Sequence, residues 1–186
     1  MGLYETQDMS GLDIAWANRR RQQATRDPAQ RYSKVQDQVC EAGWLGRKAG
    51  RGWYMYEDDK LIGPNPAVAP LIAAEAARHG ISRRKLSDKA VLQTLMLALI
   101  NEAANILDEG IARSASDIDL VLVHGYGFPR FRGGPLHYAD QLGIQRVREG
   151  LEILNKGDSV IWSISPLILK LADTNGSFGE GRGSSQ

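Results

Sequence analysis

Apolar positions along this chain recur at helical rather than strand spacing. Leu12, Ala15 and Trp16 line one side of a first segment from about Leu3 to Arg21, with a break expected at Ser10-Gly11. Val35, Val39 and Ala42 mark a second helix, which Gly43 is placed to terminate. Asn65 and Pro66 open a third, and Gly80 closes it after His79. Ser87 caps the longest helix, which runs to about Glu109. Its Leu92, Leu95, Met96, Leu99, Ala103, Ile106 and Leu107 cover one broad face, widened by Val91, Leu97 and Ile100. Asn101 is expected on the opposite strip with Thr94, Asn105 and Asp108. Ser116 to Asp119 has the form of a capping box for a short helix bearing Ile118, Val121 and Leu122. Ile144, Val147, Leu151 and Leu154 mark a further helix that Gly150 weakens, and Ser165-Pro166 begins the last. Strand signals are confined to Trp53–Tyr56. The predicted fold is all-α, a globular bundle of about seven to nine helices.

One pattern is used twice. Gly134, Asp140, Gly143 and Ile144 repeat Gly2, Asp8, Gly11 and Leu12 at a constant offset. In the second copy the pattern follows the long helix and a glycine-rich loop; in the first copy those parts are expected before residue 1. The predicted organisation is therefore a first helical copy over 1–80 lacking its leading helix, a second over 81–175, and a flexible tail over 176–186. Residues 57–63 read as a polar linker, and the tail has no apolar period.

The formal net charge of +1 gives no global field to recruit nucleic acid or an anionic membrane. Arg19, Arg20 and Arg21 stand where cations offset a helix dipole. A single cysteine, Cys40, excludes an intramolecular disulfide and fits a reducing compartment. No secretory signal is read in the opening residues, which include Glu5 and Asp8. The apolar stretch Leu92–Ile100 is about half the roughly 20 residues of a bilayer span, so no membrane span is expected.

Candidate chemistry is sparse. In GRKAGRGWYMY (46–56), Arg47, Lys48 and Arg51 among three glycines suggest either an anion loop or a structural turn. No helix follows directly and the spacing is not that of a P-loop, which favours the turn. Gly125 and Gly127 give only GxG, with Arg130 where a dinucleotide fingerprint needs glycine. His79, His124 and His137 share no metal-ligand spacing, and His137 is placed to be held by Asp140. Glu102 reads as a solvated or helix-bridging carboxylate rather than a catalytic one, and Cys40 as packing. No GxSxG elbow occurs.

Three stretches together carry a family resemblance. GYGFPRFRGGPLHYAD (125–140), NEAANILDEGIARSASDID (101–119) and the GRKAGRGWYMY loop resemble the C-terminal domain of 3-hydroxyacyl-CoA dehydrogenases. The opening MGLYETQDMSGLD is similar to the family's methionine-glycine-proline segment, with Leu3 in place of proline. Two copies in tandem resemble the multifunctional enzymes of fatty-acid β-oxidation. The resemblance implies a parent that oxidises 3-hydroxyacyl-CoA with NAD, through a histidine–glutamate pair in a preceding Rossmann domain. It assigns no catalytic, cofactor-binding or metal residue to this chain, which alone is expected to bind no NAD and to be inactive. The helical part is expected to close one side of the acyl-CoA cleft and to make domain or subunit contacts; the alternative is a self-associating structural module that forms a homodimer. Arg47, Lys48, Arg51, Tyr126, Phe128, Phe131 and Arg132 are the candidate substrate or interface residues. The resemblance places the protein in a bacterial cytoplasm rather than a peroxisome.

Overall fold

The computed structural model describes residues 2–29 and 31–179. The chain divides into two compact units, Met1–Lys85 and Leu86–Gln186. In the first, α1 (Leu3–Ser10) and α2 (Leu12–Arg21) meet at Gly11, whose φ of 92° is open to glycine at little cost. Helix α3 (Val35–Glu41) follows, then a hairpin of β1 (Tyr54–Glu57) and β2 (Lys60–Pro64), then α4 (Val68–Arg78). Leu12, Val35, Val39, Cys40 and Val68 form the core.

The hairpin corrects the polar linker expected over 57–63. Tyr54 pairs with Pro64 and Glu57 with Lys60, and the two-residue connection is Asp58-Asp59 with both φ values positive, 46° and 64°. That is the geometry of a primed hairpin turn, which aspartate tolerates. Asn65 then ties hairpin to helix: its amide donates to the Gly52 carbonyl at 2.8 Å while its Oδ1 accepts from Ala67 N at 3.1 Å.

The second unit is built on α5 (Asp88–Asp108), capped by Ser87 Oγ accepting from Ala90 N. Around it lie α6 (Ala115–Gly125), α7 (Pro135–Leu142), α8 (Ile144–Gly157) and α9 (Pro166–Thr174). Ile100, Leu136, Val147, Leu151 and Ile168 are fully buried, each large aliphatic side chain contributing about 1.5–3 kcal/mol. At 21 residues α5 is long and apolar enough to cross a membrane by length and composition, against the shorter stretch expected. Its Leu97, Ile100, Ala103 and Ala104 nevertheless belong to the core of this unit.

Three expectations change in this unit. Asn101 is not on the outer strip: it is buried, its amide donating to Ser163 O and its Oδ1 accepting from Ser165 N, both at 2.9 Å. The cap of α6 is Ser114, which accepts from Asp117 N, rather than Ser116. Gly150 is a contact residue: a Cβ there would lie 2.8 Å from Leu97 Cδ1, so the α5–α8 contact is tight at this point.

The repeat is structural. Both α1 and α7 have eight residues, and both join the next helix through a glycine of nearly equal conformation, Gly11 at φ 92°, ψ 122° and Gly143 at φ 88°, ψ 129°. Leu12 and Ile144 are equally buried at the starts of α2 and α8.

Candidate functional site

Each repeated aspartate accepts from two successive backbone amides of a distant segment. Asp8, fully buried, accepts from Trp53 N at 3.0 Å, Tyr54 N at 2.9 Å and the Tyr56 hydroxyl at 3.2 Å. Burial and the neighbouring Asp8 carboxylate push the Tyr56 hydroxyl up to about 12, so it remains a donor. Asp140 makes the corresponding bonds in the second unit, accepting from Phe178 N at 2.9 Å and Gly179 N at 3.0 Å. Each aspartate sits in a short helix and fastens an aromatic-bearing segment far along the chain. Residues 176–179 are thus not the loose tail expected: Phe178 is buried in the core of the unit. The rest of that expected tail, 180–186, lies outside the described residues.

This geometry explains the 46–56 loop. A Cβ on Gly52 would collide with the Asp8 carboxylate, and one on Gly46 with the Asp8 backbone. These two glycines permit a close approach of the loop to Asp8. The loop cations are spent on separate partners: Arg47 Nε on Asp59 at 3.1 Å, Lys48 Nζ on Asp13 at 2.6 Å, and the Arg51 guanidinium over the Trp44 ring at 4.9 Å. The structure therefore does not bring Arg47, Lys48 and Arg51 together on one anion.

The 125–134 loop divides its residues. Phe128 is buried, whereas Tyr126 and Phe131 are 78% and 83% exposed. The Arg132 guanidinium lies 4.5 Å from the centre of the Tyr138 ring. Behind the loop, Asp119 accepts from Leu136 N at 2.8 Å and His137 N at 3.0 Å, stabilising the first turn of α7. Burial raises its carboxyl above the ordinary aspartate value, while the two amides oppose that rise. Gly134 has no room for a Cβ beside Asp119. His137 is not held by Asp140; its Nε2 lies 3.0 Å from the Gln141 amide nitrogen.

Of the other candidates, Glu102 is exposed, and Cys40 is buried with its thiol 3.7 Å from the Leu12 carbonyl and pushed up by that burial. His79 stands 3.3 Å from Glu75, which accepts from Lys34 N at 2.7 Å. Arg19 pairs with Asp37 at 2.9 Å.

Two grooves mark the second unit. One, of about 560 Å3 between α5 and α6, is lined by Leu99, Ile106, Ile111, Val121 and Tyr126 among others, with Glu102, Arg113 and Asp117 also in the lining. The other, of about 520 Å3 along α5, α7 and α8, brings Arg132 together with Lys89 and Arg146. Sequence reading missed those last two because each is a single cation beside an apolar helical stripe, and only the packing of three helices gathers them.

No strand–glycine–helix unit is present among the described residues. The sheet here is a two-stranded antiparallel hairpin, and the Gly125–Gly127 turn follows a helix, whereas a pyrophosphate cradle needs a strand, a glycine turn and a helix.

Residues 1–56 and 91–184 match the family described as 3-hydroxyacyl-CoA dehydrogenase, C-terminal domain. The chain is 38% identical over 186 residues to a peroxisomal bifunctional enzyme of Danio rerio, covering 92% of this chain and 26% of that one. It is 39% identical over 167 residues to the Homo sapiens peroxisomal bifunctional enzyme, covering 82% and 23%. The chain thus spans about a quarter of the length of these relatives. A fatty acid oxidation complex subunit alpha from Pseudomonas syringae pv. tomato is 36% identical over 108 residues, covering 58% of this chain and 15% of that one. The crystal structure of the dehydrogenase part of multifunctional enzyme 1 from C. elegans has the same fold, with a TM-score of 0.67 at 19% identity over 91% of this chain and 38% of that one. With most of its length matched and the aspartate-fastened helix pair present twice, this chain belongs to the 3-hydroxyacyl-CoA dehydrogenase C-terminal domain family.

Proposed function

We propose that this chain is the helical, substrate-side portion of an NAD-dependent 3-hydroxyacyl-CoA dehydrogenase of fatty-acid β-oxidation, and that it completes an acyl-CoA cleft rather than carrying the reacting groups. The observation that carries this reading is the Asp8 and Asp140 repeat, two helix–glycine–helix units each closed by backbone amides of a distant segment. Such a scaffold supplies rigid walls, and the substrate and interface roles proposed for Tyr126 and Phe131 use their exposed rings. Phe128 supports that loop from the core, and Arg47, Lys48 and Arg51 contribute through the shape of the Asp8 loop. NAD belongs to a Rossmann portion, the partner this reading requires. The buried Cys40 thiol suits a reducing compartment, consistent with the bacterial cytoplasm.

The test is spectrophotometric. The isolated chain mixed with 3-hydroxybutyryl-CoA and NAD is expected to produce no NADH, and a polypeptide with the Rossmann portion restored is expected to do so. Turnover by the isolated chain would sink the proposal.

A second reading is favoured by the apolar groove between α5 and α6, beside the exposed Ile111, Leu120 and Val121. An apolar surface of this kind marks an association site, and we propose a homodimer through it. Analytical ultracentrifugation that finds only monomer at high concentration would remove this reading.

A further inference from the structure

The groove along α5, α7 and α8 has about 520 Å3 of space, within the range of small-molecule sites. Its floor is apolar, with Leu92, Met96, Leu97, Tyr138 and Leu142. Its charged lining residues are Lys89, Arg132 and Arg146, with no aspartate or glutamate among them. Among the described residues none of the three cations is in an ion pair, and Arg132 is steadied by the Tyr138 ring at 4.5 Å. Nearby Arg148 differs, being paired with both Glu152 and Asp173.

Two other depressions among the described residues lack this combination. The arginine-rich one in the first unit includes Asp37 and Glu41 in its lining, and its Arg19 is already paired. The α5–α6 groove has Glu102 and Asp117 beside Arg113.

An apolar trough with uncompensated positive charge fits a ligand of two parts. An alkyl chain removes the floor, including the exposed Leu92, from water. An anionic head forms charge-assisted hydrogen bonds with the lining cations, which are stronger than neutral ones and match arginine to phosphate in particular. Three cations favour a phosphate monoester, carrying between about 1.5 and 2 negative charges near neutrality, over a single carboxylate. We infer that this groove binds a single-chain, phosphate-bearing amphiphile, with the chain on the Leu92–Met96–Leu142 floor and the phosphate against Lys89, Arg132 and Arg146. The inference goes beyond the proposed dehydrogenase role and involves no hydride transfer.

Isothermal titration of the 186-residue chain with dodecyl phosphate, dodecanoate and an uncharged dodecyl glycoside, each below its micelle concentration, tests it. The phosphate is expected to bind most tightly, the carboxylate more weakly and the glycoside weakest, with affinity for the phosphate falling as salt is added. Arg132→Gln with Arg146→Gln is expected to weaken the phosphate about tenfold or more, while Ile14→Asn at an exposed position of α2 leaves it unchanged. Should the double variant fail to fold by circular dichroism, Lys89→Gln with Arg146→Gln gives the same readout. The inference is overturned if dodecyl phosphate does not bind, if the carboxylate or the glycoside binds equally well, or if the cation variants keep full affinity.

Discussion

Replacing Asp8 with alanine tests the structural claim on which the repeat rests. The substitution removes the acceptor for Trp53 N, Tyr54 N and the Tyr56 hydroxyl together. A buried donor left without a partner costs about 1–3 kcal/mol. Here the donors are only part-buried and water can enter the space left by the carboxylate, so about 2–5 kcal/mol in total is expected. That is a large share of the roughly 5–15 kcal/mol by which a domain is stable. Asp8→Asn is expected to be nearly as harmful, because the amide's NH2 would face a donor. Urea unfolding measures the loss, and hydrogen exchange locates it at the Trp53 and Tyr54 amides. If Asp8→Ala changes stability by less than about 0.5 kcal/mol, the ordinary range of surface substitutions, or if both amides stay protected, the reasoning is wrong.

Two more tests follow from packing and charge. Gly150→Ala should destabilise the second unit by about 1–3 kcal/mol through overpacking against Leu97, although alanine is the better helix former; a rise in stability on thermal melting would contradict the close α5–α8 approach. Glu75 is held below the ordinary glutamate value of 4.5, first by the Lys34 amide and then by Arg78. Its contribution should therefore be full above the unfolded value and vanish as pH falls through the lower folded one. Melting temperature against pH should fall less steeply on the acid side in Glu75→Gln than in the native chain, and identical slopes would refute this.

Helix positions were legible because their signals are local: the period of Leu92 to Leu107, the Ser87 cap and the Ser10-Gly11 break need no knowledge of the rest of the chain. The second strand was not, since Leu61 and Ile62 are both exposed and no alternation marks them as half-buried. Asp58-Asp59 lacks the asparagine–glycine signature of a two-residue turn. Phe178 was misjudged for a related reason, being one aromatic among glycines whose burial depends on Asp140, 38 residues earlier. Gly150 was counted against its helix because propensity sees the backbone alone, and the reason for a glycine there lies on α5. Of the candidate site, the glycine-rich stretches 46–56 and 125–134 are visible as motifs in the sequence. What their side chains touch, and the gathering of Lys89 and Arg146 beside Arg132, depend on tertiary packing.

The bond from Asp140 to Phe178 and Gly179 has a consequence for synthesis on the ribosome. Helices α5 to α8 emerge well before the residues that fasten them. The second unit therefore remains open at one end until almost its last described residue has left the exit tunnel, and a stop codon anywhere short of Phe178 would leave the nascent core without its closing aromatic.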